Sequence, residues 1–90
     1  MRSPAYSGQF RRDIKLAEKR GKDLGKLRRI LQVLIDNKPL AASYRDHPLK
    51  GKWAGWRDLH LEPDWLLIYK ADSETVRFEP TGSRSDLFKE

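Results

Sequence analysis

Two histidines, an aspartate and an arginine stand where proton and phosphate chemistry could be done. His47 opens a histidine–proline pair in a long connection. His60 lies near the end of the alternating stretch RDLHLEPDW, and Asp64 falls in the turn that follows. Arg84 arrives in the last segment, TGSRSDLF, residues 81 to 88. Imidazole gives and takes protons near neutral pH, a carboxylate can pair with it, and a guanidinium holds phosphate oxygens with a fork of donors. Each residue also has an ordinary reading: His60 as a surface strand histidine, Asp64 as a turn residue, His47 as part of a loop kink. Other chemistries fit less well. The spacing His-x12-His-x3-Asp matches no compact metal motif, and no nucleophile elbow accompanies a serine. With no cysteine present, disulfides, Cys-ligated zinc, iron–sulfur clusters and thiol catalysis are excluded.

The elements that must position these residues can be read from periodicity. Ser7 is a good N-cap, and Phe10, Ile14 and Ala17 recur at helical spacing up to Gly21. Asp23 can cap a second helix, in which Leu24, Leu27, Leu31 and Leu34 form an apolar stripe thickened by Ile30 and Ile35. Asn37 and Pro39 stop it. The short break between the two suggests an antiparallel helical hairpin. WRDLHL alternates, WLLIYK is a continuous apolar run, and ETVRFEP alternates again, with EPD and ADS short enough for hairpin turns. The expectation is a three-stranded antiparallel meander, four-stranded if PAY (residues 4 to 6) pairs, with two helices on one face. That is a small α+β domain spanning residues 1–90. If the helices cover the Leu59/Leu61 face, His60 shares the open side with Trp56 and Asp58.

The formal charge is +6, and its location says more than its size. Residues 11 to 29 hold nine Lys and Arg against three acids, and the rest of the chain balances. A concentrated positive segment suits a polyanion or an acidic protein surface; a solvated helical face is the plain alternative. The start, MRSPAYSGQF, lacks the apolar core of a signal peptide, and no window reaches a spanning length. A cytoplasmic protein without membrane contact is the expectation.

Three segments carry a resemblance. YSGQFRRDIKLAEKR, DHPLKGKWAGWRDLHLEPDWLLIYK and RFEPTGSRSDLF closely resemble the YafQ branch of the RelE/ParE toxin superfamily, from about Tyr6 to Phe88. The resemblance implies a RelE-like fold, a helical hairpin packed on a twisted, mainly antiparallel sheet. It also implies the toxin of a type II toxin–antitoxin pair that cleaves mRNA on the ribosome without metal or other cofactor. By position, the family's catalytic residues fall on His47, His60 and Asp64. Trp65 and Phe88 lie in the same neighbourhood, assigned to substrate binding. A ribose 2′-OH would attack the adjacent phosphate after a base removes its proton, and an acid would protonate the departing 5′-oxygen. The family pattern TG-x-H-x-x-L-F has arginine here, at Arg84. Arginine does not release its proton, so either His60 or His47 serves as the acid while Arg84 clamps the phosphate, or the toxin is attenuated. Arg11, Arg12, Lys15, Lys19, Lys26 and Arg28 are expected to bind ribosomal RNA. The implied partners are a cognate antitoxin (DinJ-like), the ribosome and mRNA. The rival readings are a non-catalytic gyrase inhibitor of the ParE kind and a catalytically dead RNA-binding module.

Overall fold

A computed structural model describes residues 1–88. Five strands form one sheet in the order β1-β5-β4-β3-β2. The strands are β1 (Ser3–Tyr6), β2 (His47–Pro48), β3 (Arg57–Glu62), β4 (Trp65–Ala71) and β5 (Thr75–Gly82). The helices are α1 (Gly8–Lys19), α2 (Leu24–Ile35) and α3 (Arg84–Phe88). The expected α+β class and the β3–β4–β5 antiparallel meander are present. Two further strands complete the sheet, the first of them the conditional fourth strand. The N-terminal strand joins the sheet, but parallel to β5. His47 and Pro48, expected as loop, pair antiparallel with β3.

Both long helices begin at the caps the sequence provides. The Ser7 hydroxyl accepts the Phe10 N–H at 2.9 Å, and Asp23 Oδ1 accepts the N–H groups of Gly25 and Lys26 at 2.9 and 3.2 Å. These bonds satisfy donors that the first helical turn leaves unpaired. Gly21 leaves α1 at φ +78°, a conformation that suits glycine.

One sheet face packs under α1 and α2. Phe10, Leu27, Ile30 and Leu34 from the helices meet Leu59, Leu61, Trp65, Leu67, Val76 and Phe78 from the strands. Leu66 and Ile68 are also fully buried but stand outside that cluster. The apolar run of β4 is thus covered on both sides, as a central strand requires. Tyr6, Phe10 and Phe78 stack with centroid separations of 5.5 to 6.0 Å, tying β1, α1 and β5 together. Phe78→Ala should therefore cost about 3–5 kcal/mol, the range for emptying a buried aromatic site. Urea denaturation measures it, and a loss under about 1 kcal/mol would mean that the stack is not a keystone of the core.

Two irregularities shape the end of the sheet that carries the site. The β3–β4 register shifts between His60 and Glu62, and the β4–β5 register shifts between Leu67 and Tyr69. The second shift loops out the stretch containing Pro80, which has no N–H to give a ladder. β1 ends opposite Phe78, so Pro80 lies past its reach. Thr81 closes the end: its hydroxyl donates to the Leu66 carbonyl at 2.7 Å and its N–H donates to Asp13 Oδ2 at 3.2 Å.

Candidate active site

Pairing of β2 with β3 puts His47 opposite Asp58. Because side chains alternate along a strand, Asp58 and His60 share the face turned away from Leu59, Leu61 and the long helices. The imidazole rings of His47 and His60 lie 6.2 Å apart, centroid to centroid. The two histidines, distant in sequence, therefore converge through the β2–β3 pairing.

His47 is held in one tautomer. Its Nδ1 lies 2.8 Å from the Arg45 carbonyl oxygen and 3.0 Å from Asp58 Oδ1. A carbonyl can only accept, so Nδ1 carries the proton and Nε2 is the accepting nitrogen of the neutral ring. Arg45 presents that carbonyl from a left-handed conformation, φ 52°, at the end of a short 3-10 turn. The N–H points at Arg45, so Asp58 acts on the ring through charge. Asp58 Oδ1 remains buried without a hydrogen-bond partner among the described residues. Asp58 is only 2 % exposed, and burial pushes its carboxyl above the usual carboxylate range. The charges of His47, His60 and Arg84 pull it back in part. The adjacent Asp46 fastens the loop: Arg57 Nε donates to Asp46 Oδ1 at 3.0 Å. Burial, with Asp46 alongside, holds the Tyr69 phenol above its ordinary range, so Tyr69 stays protonated at neutral pH.

Asp58 is the residue that sequence reasoning missed. It was placed on the His60 face by alternation, but a carboxylate in a strand gives no sign of whether it will be buried. The sequence instead paired His60 with Asp64, and the structure differs. Asp64 Oδ1 accepts the Arg84 N–H at 3.1 Å. It lines a cavity of about 270 Å³ with Asp13, Arg20 and Trp65, whereas His60 lines another of about 400 Å³ with Lys26, Tyr44 and Arg45. The carboxylate beside the imidazoles is Asp58, and Asp64 supports Arg84.

Arg84 is exposed and lies close enough for its charge to act on Asp58. Its guanidinium carbon sits 5.9 Å from the centre of the half-buried Phe88 ring, within cation–π range. Trp65 is placed differently from a stacking platform. It is 1 % exposed and belongs to the core beneath the helices, so it offers no face to a base. Its ring is capped by Lys22 Nζ at 5.9 Å. Of the basic residues, Arg11, Arg12, Lys15, Lys19 and Arg28 are exposed on the helices, while Lys26 is half-buried at the His60 cavity.

The donor atoms of His47, Asp58 and His60 all lie within 4.8 Å of one another. Two imidazoles and a carboxylate suit a transition metal. Ligands of one tetrahedral ion stand about 3.3 Å apart, from bond lengths near 2.0 Å, and the His47 Nδ1–Asp58 Oδ1 separation of 3.0 Å is already that short.

A sheet with two capped helices on one face and a histidine–carboxylate cluster on the other describes a small basic α+β domain equipped for acid–base chemistry. The family model described as "Bacterial toxin of type II toxin-antitoxin system, YafQ" matches residues 2–89, and the chain belongs to this family. It is 55% identical over 84 residues to the mRNA interferase toxin YafQ of Escherichia coli K12, covering 92% of this chain and 91% of that protein. Its structure superposes on the toxin in the crystal structure of the E. coli DinJ-YafQ toxin–antitoxin complex with a TM-score of 0.90 at 53% identity, covering 97% of each chain. A metal-bound toxin from Helicobacter pylori matches with a TM-score of 0.90 at 39% identity, over 98% of this chain and 100% of that one.

Proposed function

We propose that this type II toxin is a ribosome-dependent endoribonuclease that cleaves mRNA by general acid–base catalysis. The observation that carries the reading is the convergence of His47, Asp58 and His60 on the sheet face that the long helices leave free, with the Arg84 charge acting on Asp58. The similarity to proteins named mRNA interferase supports it.

In this reaction the neutral His47 accepts the 2′-OH proton at Nε2, and the buried Asp58 charge stabilises the imidazolium that results. The 2′-oxygen forms a bond to phosphorus while the bond to the 5′-oxygen breaks. His60, in its protonated form, delivers a proton to that leaving oxygen. The products are a 2′,3′-cyclic phosphate and a free 5′-hydroxyl. The ring separation of 6.2 Å puts both imidazoles within reach of one phosphodiester at the open face. Arg84 faces the phosphorane oxygens, where a fixed cation is most useful as negative charge develops. A metal seated between His47, Asp58 and His60 would occupy both proton carriers and inhibit the reaction.

Incubation with translating ribosomes, followed by mapping of new 5′ ends, tests the function. Cuts in ribosome-bound message and none in free message are expected; cuts in neither, with inhibition of DNA supercoiling, would favour a gyrase-directed toxin. Asp58→Asn should lower single-turnover cleavage about tenfold or more with ribosome affinity unchanged, because the lost charge acts in the reaction. An unchanged rate would remove Asp58 from the mechanism.

The exposed cations of α1 and α2 are the proposed contact with ribosomal RNA. If the five named above meet phosphates, affinity falls about 500-fold between about 50 and about 200 mM salt. Filter binding across that range measures the slope, and a flat response would exclude this surface as the contact. An acidic segment of a cognate antitoxin, DinJ-like as in the E. coli complex, would bind the same positive surface. The expected compartment is the cytoplasm, and no helix among the described residues is long and apolar enough to cross a membrane.

A further inference from the structure

Helix α3 carries Arg84, yet little in the core holds it. It is five residues long with no buried residue, and a helix this short does not persist alone in water. Polar bonds fix it instead. Besides the Asp64 contact to Arg84, Ser83 and Asp86 cap each other. The Ser83 N–H donates to Asp86 Oδ2 at 3.0 Å, and the Asp86 N–H donates to Ser83 Oγ at 3.1 Å. This is the reciprocal exchange of a capping box. The same Asp86 Oδ2 accepts Arg20 Nη1 at 2.7 Å, and Arg20 is the C-cap of α1. The carboxylate lies over Gly82, where an added Cβ would stand 3.0 Å from Oδ2. Any larger residue would force the carboxylate aside.

The charges also suit their helix ends: a cation closes α1 and an anion opens α3. The bonds from Arg20 and Ser83 hold the Asp86 carboxyl down to about 2. A depressed carboxyl contributes above its unfolded value near 3.8 and loses that contribution as pH falls toward 2, so the pair is intact at neutral pH. An exposed ion pair alone is worth little, but here the ion pair and the cap meet on one oxygen.

We infer that Asp86, clasped by Arg20, is a positioning residue: it latches the short helix bearing Arg84 to α1 and so holds in place the guanidinium proposed to clamp the phosphate. The catalytic consequence rests on the proposed cleavage reaction; the latch itself does not. A phosphate-binding role for Arg20 predicts the opposite pattern, because Asp86→Ala would free that arginine to strengthen ribosome binding without slowing cleavage.

The test combines amide hydrogen exchange with single-turnover cleavage at saturating ribosome concentration. Variants are Asp86→Ala, Arg20→Ala and Arg20→Lys, with Asp86→Ala also made in an Arg84→Ala background. Asp86→Ala and Arg20→Ala should speed exchange at the Arg84 and Leu87 amides about tenfold, the scale of one lost cap. The β4 amides should be unchanged, which shows that the fold is intact. Cleavage should slow about tenfold without a change in ribosome affinity, Arg20→Lys should keep most of the rate, and Asp86→Ala should cost nothing further once Arg84 is alanine. Unchanged exchange at Arg84 and Leu87 overturns the latch, whatever cleavage does. An equal loss in the Arg84→Ala background overturns the positioning role. A parent chain that leaves ribosome-bound message intact overturns the reaction instead, and the exchange data alone then decide whether the latch exists.

Discussion

His60→Ala should slow single-turnover cleavage of ribosome-bound message by about 10²–10⁴-fold, the usual contribution of a placed acid or base, with little change in ribosome affinity. His60 is half-buried beside the His47 ring, and among the described residues it shares its strand face with the one carboxylate buried there, Asp58. Truncating it removes the proposed proton donor to the leaving oxygen but none of the exposed cations proposed to contact RNA. The loss therefore falls on the chemical step, and affinity should hold. Substrates with a better leaving group at the scissile phosphate should recover much of the rate in the His60→Ala protein, since they need less protonation. The His47→Ala protein should not recover on those substrates, because its defect is at the attacking 2′-oxygen. Equal recovery in both would mean that the two histidines do not divide the work as proposed. A loss under about threefold in either variant would remove that histidine from the reaction.

Arg84→Ala is expected to slow the same step by about 10²–10³-fold, the scale of one charge-stabilising donor. Lysine should restore part of that loss, since it keeps the charge but not the fork. Arg84→His distinguishes a working clamp from an attenuating substitution. An attenuated toxin predicts that Arg84→Ala cleaves at the parent rate and that Arg84→His is faster. A clamp predicts a large loss in Arg84→Ala. The position of Arg84 favours the clamp: its backbone is held by Asp64, its guanidinium lies near Phe88, and its charge reaches Asp58.

Much of this arrangement was legible in the chain. Ser7 and Asp23 announced their helices because caps are local chemistry, and the leucine stripe of α2 named the face it would bury. Alternation in RDLHLE placed His60 opposite Leu59 and Leu61 without any knowledge of the partner strands. What escaped notice depends on contacts distant in sequence. β2 is two residues long and has no periodicity to read; only β3 makes His47–Pro48 a strand. β1 runs parallel to β5 through a pairing more than seventy positions away. α3 is a single turn, held by Arg20 from another helix. The choice between Asp58 and Asp64 as the imidazoles' carboxylate turned on the β3–β4 turn. There Asp64 swings to the Arg84 backbone, and Asp58 is left under His47.

The most direct measurement uses one message carrying a single 2′-deoxynucleotide at the mapped cut site, loaded on ribosomes and treated with the toxin. Attack by the 2′-OH predicts that the all-ribose control is cut to a 2′,3′-cyclic phosphate and a 5′-hydroxyl end. The 2′-deoxy message should stay whole at that bond. Cleavage of the 2′-deoxy message at the same position, leaving a 3′-hydroxyl, would show that water rather than the ribose attacks and would contradict the account.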